Sequence, residues 1–281
     1  MYVLPYGQMS LWGKLIAPNG EFLLNFISID QTQNISNIEN LTVLSGIVSF
    51  KQTRIRAIKR IGPHNINLLS ILIGSLLGDA SAEKHGNGTR IAFYQEDSHS
   101  AYLLWFHHYL AELGYCNGTI PKLVKRLGLK GKSRTIIRFK TFTYSSFNWI
   151  HEGFYINNIK RVPDFIEIYL NPMALAVWIM DDGAKVSAGL KLCTNSFSYS
   201  DVEKLASILR NKYELKTSII KTGRLDQYNI YIGKSSMQLL FDIIKPYLHK
   251  SMYYKFGQIV TFGLTFASSK RKAKKLIKHY S

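Results

Sequence analysis

Two stretches of this chain end an apolar run in acid. Leu68 to Ala80 reads L-L-S-I-L-I-G-S-L-L-G-D-A, and Asn171 to Gly183 reads N-P-M-A-L-A-V-W-I-M-D-D-G. Unpaired carbonyls give a helix C-terminus partial negative charge, so Asp79, Asp181 and Asp182 stand where a carboxylate is disfavoured unless something positive offsets it. A solvated helix end with Lys185 nearby meets that need, and so does a cation shared by two such ends. Gly74 and Gly78 lie four apart on one helix face, which lets a second backbone approach closely. Parallel packing of the two helices would bring Asp79 and Asp182 together, tolerably only with cations between them. Oxygen ligands of this kind suit magnesium, and a hard divalent ion beside a phosphodiester activates water and stabilises the departing oxygen.

The flanking sequence repeats. Each apolar helix is followed by a carboxylate, a basic or polar turn (His85 to Gly88 in the first copy), a strand and a second helix. The strands are Arg90 to Gln95 and Leu190 to Asn195, and the helices Ser98 to Leu113 and Tyr199 to Tyr213. Asn171 before Pro172 is a strong helix start, and Asn65 or Asn67 suits the start of the first. Arg134 to Phe142 alternates basic with β-branched and aromatic residues, as a strand does with one face on a core and the other on an anion. Lys216 to Ile220 and Tyr228 to Ile232 repeat that theme around a turn at Thr222 to Arg224, and Ser145 to Tyr155 and Ser235 to Leu248 close each copy as helices.

The chain has 281 residues, 36 Lys+Arg against 18 Asp+Glu, and a formal charge of +18. That balance points to a polyanion, nucleic acid or an anionic membrane. No apolar run approaches the roughly 20 residues of a membrane span, and the N-terminus lacks the basic and apolar regions of a secretory signal. Cys116 and Cys193 have no metal-ligand spacing, which argues against zinc and a disulfide framework. Basic runs at Lys51 to Arg60 and Lys270 to Lys275 fit solvated tails or contacts to a phosphate backbone.

G-S-L-L-G-D-A and W-I-M-D-D-G resemble the two signature helices of the LAGLIDADG homing endonucleases, in the single-chain class with two pseudo-symmetric halves. The likeness runs from about Asn65 to Phe256, supported by F-Y-Q-E-D-S-H-S-A-Y (Phe93 to Tyr102), C-T-N-S-F (Cys193 to Phe197) and I-K-P-Y-L-H-K-S-M-Y-Y-K (Ile244 to Lys255). The resemblance implies an α+β fold of two αββαββα halves, residues 65–163 and 164–262, joined by the paired helices, with two sheets forming a saddle on DNA. It implies a monomer that makes a magnesium-dependent double-strand break at a long target, with manganese able to substitute. By the same resemblance Asp79 and Asp182 are metal ligands, and Gly78 and Asp181 could offer backbone carbonyls. The basic residues that polarise water or stabilise the phosphate fall on Lys160, with Arg161 competing for the role, and on Lys255. Gln95 and Asn195 take the polar position after the first strand of each half. Ala80 stands where the family often has glycine.

Candidate DNA contacts on the basic strands and turns are Lys84, Arg90, Lys122, Arg134, Arg138, Lys140, Lys185, Lys191, Lys221 and Arg224, as base readers or phosphate contacts. The alternative is an RNA maturase that assists splicing of its host group I intron, a role that needs the basic surface but not the acids. Y-V-L-P-Y-G-Q-M-S-L-W-G, Tyr2 to Gly13, resembles a membrane-edge segment of cytochrome b. It implies a reading frame running from a cytochrome b exon (residues 1–13) into a group I intron, hence a mitochondrial gene. Residues 14–64 would then be a basic extension and 263–281 a basic tail.

Overall fold

A computed structural model describes residues 14–16, 22–24, 55–127, 131 and 133–260. The exon-like segment, most of the extension and the basic tail lie outside the described residues. Strands β1 (Lys14–Ile16) and β2 (Phe22–Leu24) pair antiparallel as a small unit by themselves.

From Ile66 the chain runs α1 (Ile66–Leu77), β3 (Ser81–His85), β4 (Gly88–Glu96), α2 (Ser100–Glu112), β5 (Val124–Leu127), β6 (Ser133–Lys140) and α3 (Asn148–Phe154). A connector follows, with β7 (Tyr155–Ile156), β8 (Ile159–Lys160) and α4 (Ile166–Tyr169). The pattern then returns as α5 (Pro172–Asp182), β9 (Gly183–Val186), β10 (Gly189–Cys193), α6 (Tyr199–Tyr213), β11 (Thr217–Lys221), β12 (Tyr228–Ile232) and α7 (Met237–Ile244). Each half is αββαββα, and its four antiparallel strands lie in the same order, β3-β4-β6-β5 and β9-β10-β12-β11. The α+β expectation holds.

The differences are local. β3 (Ser81–His85) and β9 (Gly183–Val186) are strands that leave the helix ends directly, where the sequence reading has no strand between the carboxylate and the basic or polar turn. Strand β5, V-K-R-L, is an exposed edge strand with no buried face to give it an apolar rhythm. The β7–β8 hairpin turns on Asn157 and Asn158, both at positive φ (51° and 63°), the backbone that a tight two-residue hairpin requires and that asparagine tolerates.

Helices α1 and α5 are buried on nearly every side, as apolar all-round helices must be. Asn65 caps the first, accepting from the Asn67 and Leu68 amides at 2.7 and 3.2 Å; Asn171 caps the second, accepting from Ala174 at 2.9 Å. The Asn171 amide also donates across to Ser70 Oγ at 2.7 Å, and Ser70 donates to Ile66 O at 2.6 Å. A Cβ on Gly74 would lie 2.5 Å from Ala174 O and 2.9 Å from Val177 Cβ; one on Gly78 would lie 2.5 Å from Asp181 Cβ. Contacts therefore advance together, 70 with 171, 74 with 174, 78 with 181, so the helices are parallel and their acidic ends coincide.

Residues 55–64 rest on the first half. The Arg60 guanidinium sits 4.6 Å over the Phe142 ring and donates to Thr143 O at 3.3 Å, while His64 bridges Tyr115 Oη and Ser146 Oγ at 2.8 Å each.

Gly74→Ala should cost on the order of 1–3 kcal/mol by overpacking a backbone contact that cannot give way. An unchanged unfolding midpoint in denaturant would contradict the close helix approach.

Candidate active site

Asp79 and Asp182 stand at the abutting C-termini of α1 and α5, Asp79 exposed and Asp182 half-buried. Lys160 and Lys255 supply the positive charge that acidic helix ends require. From β8, the Lys160 ammonium donates to Gly78 O at 3.2 Å and Ala80 O at 3.5 Å, at the end of α1. From the 3-10 segment Lys250–Val260, Lys255 does the same for α5, donating to Ile179 O at 3.2 Å, to Met180 O, and to Asp181 O at 3.3 Å. Cations at helix C-termini are stabilising, and here the ammonium groups also satisfy carbonyls that the helix leaves unpaired. Lys255 is only 3% exposed, so it is no ordinary surface lysine. Arg161 instead donates to Gly153 O at 3.1 Å, which leaves Lys160 as the connector residue that reaches the carboxylate end.

The charges are mutually adjusted. Burial first, then the charge of Asp79, raises the Asp182 carboxyl to about 7, against the opposing pull of Lys160 and Lys255. Burial and Asp79 also push Asp181 well above the usual carboxylate range, against a hydrogen bond from Tyr102. Burial lowers both lysines, while the three aspartates hold them up. Cation binding between the carboxylates would relieve their repulsion.

Gln95 joins the acids of the two halves. Its amide nitrogen donates to Asp79 Oδ2 at 2.8 Å and to Asp181 Oδ1 at 3.3 Å, and buried Tyr102 donates to the same Asp181 oxygen at 3.0 Å. Asp181 is thus a tied acid beside Gly78. Sequence alone does not mark Tyr102 as a site residue: a tyrosine on an apolar helix looks like core until its partner is known.

Asn195 is not the counterpart of Gln95. Two residues beyond Asp79, Ser81 pairs with Ala92; two beyond Asp182, Ala184 pairs with Lys191. Counting three onward gives Gln95 in one half and Thr194 in the other. Thr194 is fully buried and donates to Tyr228 O at 2.7 Å, whereas Asn195 matches Glu96 and is exposed. Strand register, which the helical motifs cannot supply, decides this.

Register also sorts the basic candidates. The sheet face away from the helices carries Arg90, Arg134, Arg138 and Lys140 in the first half. There Glu83 pairs with Arg90 at 2.9 Å and with Lys140 at 2.7 Å, and Glu96 with Arg134 at 3.1 Å, while Arg138 is exposed and in no ion pair among the described residues. In the second half that face has Lys191, with Asn229, Tyr231 and Ser218 beside it. Lys84, Lys185 and Lys221 fall on the opposite, helix-covered parity, because a strand turns alternate residues to alternate faces. Lys84 is paired with Glu152 of α3 at 3.0 Å, and Lys185 lies against Gly257. Lys122 and Arg224 are exposed in loops.

Residues 69–240 match the LAGLIDADG DNA endonuclease family. This chain belongs to that family. Among relatives of this LAGLIDADG protein, the cytochrome b mRNA maturase bI2 of Debaryomyces hansenii is 51% identical over 197 residues, covering 69% of this chain and 75% of its own. The intron-encoded endonuclease ai4 of Dictyostelium discoideum is 41% identical over 148 residues, covering 51% of this chain and 93% of its own. Among solved structures, the homing endonuclease I-WcaI bound to its DNA recognition sequence aligns with a TM-score of 0.61 at 26% identity, covering 68% of this chain and 86% of that one. No helix among the described residues is long and apolar enough to cross a membrane.

A carboxyl raised in the fold is stabilised by its proton, so that stability is present at low pH and is lost as pH rises through about 7 for Asp182. The metal-free protein should therefore lose unfolding midpoint as pH rises from acid to neutral, and Asp182→Asn should flatten that fall. Equal slopes for the two proteins would contradict the coupling.

Proposed function

We propose that this protein is a site-specific homing endonuclease, hydrolysing one phosphodiester in each strand of double-stranded DNA at a long target in an intronless cytochrome b allele. The observation that carries this reading is that Asp79 and Asp182, one from each repeat, lie at the coinciding ends of two parallel helices, each end braced by its own lysine. Residues 65–163 and 164–262 then act as two halves on one duplex, in a single chain that needs no second copy.

Magnesium fits the residues present. The available donors are carboxylate oxygens, and among the described residues no group of three or more His, Cys, Asp or Glu side chains is placed to hold an ion. Magnesium keeps several waters and completes its octahedron from substrate phosphates, so two carboxylates suffice, with manganese as a substitute. When bound there it would supply Lewis-acid stabilisation of the phosphate and an activated water. Asp79 and Asp182 would hold it, one per half. Gly78 and Asp181 present carbonyls at the same end, each already accepting from a lysine. Lys160 and Lys255 would stabilise charge building on the phosphate oxygens, and Gln95 would orient Asp79.

Arg90, Arg134, Arg138, Lys140 and Lys191 line the faces that would meet the major groove. Part of their charge is already paired with Glu83 and Glu96, which favours selective contacts over uniform phosphate binding. The cytochrome b and intron names of its relatives support a mitochondrial, intron-encoded origin.

One observation favours a second reading. The 51% identical relative is named an mRNA maturase, so the host intron's RNA is the alternative partner. Splicing assistance needs no paired acids; their retention in a braced site therefore favours cleavage.

Asp79→Asn or Asp182→Asn should abolish double-strand cleavage of intronless cytochrome b DNA in magnesium while leaving binding nearly unchanged; full cutting by either would reject the assignment. Protection of intron RNA by a wild-type protein that leaves DNA intact would promote the maturase. Arg138→Ala should weaken DNA binding and lower its salt dependence, whereas Lys84→Ala should do neither; the reverse order in a titration across salt would overturn the assignment of faces.

A further inference from the structure

The polar chain at the first carboxylate continues outward. His99 stands at the entry to α2, its Nδ1 3.2 Å from Gln95 Oε1 and its Nε2 3.0 Å from the Tyr254 hydroxyl. A carbonyl oxygen only accepts, so Nδ1 carries the proton, and Nε2 then accepts from Tyr254. Burial holds His99 below the ordinary histidine value, consistent with the neutral ring this chain requires. Tyr254 precedes Lys255, so the chain ties an element of the second half to an acid of the first.

The bond to His99 holds the Gln95 amide in the orientation that its two carboxylate partners also favour. With Oε1 on the histidine, the amide nitrogen must face Asp79 Oδ2 and Asp181 Oδ1. The flipped amide would set its oxygen against two carboxylates and its NH2 against the imidazole N–H, losing every bond at once. In the second half Thr194 turns its hydroxyl to the backbone of Tyr228, so among the described residues no equivalent chain runs from that position to Asp182.

We propose that His99 is a positioning residue that acts through Gln95 to orient Asp79, and that cleavage of one DNA strand depends on it while cleavage of the other does not. The proposal rests on the nuclease reading above and adds an asymmetry that the duplicated fold does not require. His99 would act through the Gln95 amide, not on the reacting phosphate itself.

The test is single-turnover cleavage of intronless cytochrome b DNA, with each strand end-labelled separately, by wild type, His99→Ala and His99→Asn. Losing one well-made bond to the relay should slow one strand by about tenfold in His99→Ala, leaving the other strand nearly unchanged, so nicked DNA accumulates. Asparagine keeps an N–H close to the Nδ1 position, so His99→Asn should restore most of the lost rate. Equal slowing of both strands, or no rescue by asparagine, would overturn the proposal. A second readout does not depend on nuclease activity: solvent exchange of the Gln95 side-chain amide, followed by NMR on the full chain. It should be slow in wild type and fast in His99→Ala. Unchanged exchange would overturn the proposal even if DNA is cut, whereas a wild type that cuts no DNA but shows the exchange difference would overturn only the nuclease reading.

Discussion

The structure depends on how closely two helices can approach. At Gly74 the backbone of α1 lies against the Ala174 carbonyl, and at Gly78 it lies against the side chain of Asp181. Any larger residue would force the helices apart, and with them the two acids at their coinciding ends. Close approach in parallel orientation also superimposes two helix dipoles of the same sign, which is electrostatically costly. Lys160 and Lys255 answer that cost at the carbonyls themselves, from the β7–β8 hairpin at one end and the 3-10 segment near the C-terminus at the other. The connector between the halves is therefore part of the site: its Asn157–Asn158 turn is what delivers Lys160.

The repeat is faithful in topology and unequal in chemistry. Strand order and helix sequence coincide, yet Gly78 faces Asp181, and Gln95 corresponds to Thr194. The first sheet presents several arginines with acids interleaved, while the second presents one lysine among small and aromatic groups. Two copies of one fold, free to diverge within a single chain, can read two unlike half-sites and need not share a local reaction geometry.

Much of this was legible in the sequence because the strongest signals there are local. Helix α6 runs Tyr199–Tyr213 as the order of the repeat predicts, with Ser198 accepting from the Asp201 amide as its cap. The paired acidic helices follow from glycine spacing, apolar runs and their asparagine caps. What escaped was set by register and by tertiary partners. Strands β3 and β9 carry charge and little apolar alternation, so their pairing comes from neighbouring strands. Asn195 was one position out because a count along the chain cannot see which residue of β4 matches which of β10. Lys84, Lys185 and Lys221 lie on basic strands but on the wrong parity for an outer face. His99 and Tyr102 look like ordinary helix residues until Gln95 and Asp181 are placed beside them.

The central claim is that Asp79 and Asp182 together take a divalent cation over a bound duplex. Anomalous diffraction from crystals of the protein with its DNA target, soaked in manganese, tests it most directly. The account predicts anomalous density within coordination distance of both carboxylates and of a backbone phosphate. Duplex seated on the sheets with the manganese elsewhere, or touching neither aspartate, would contradict it.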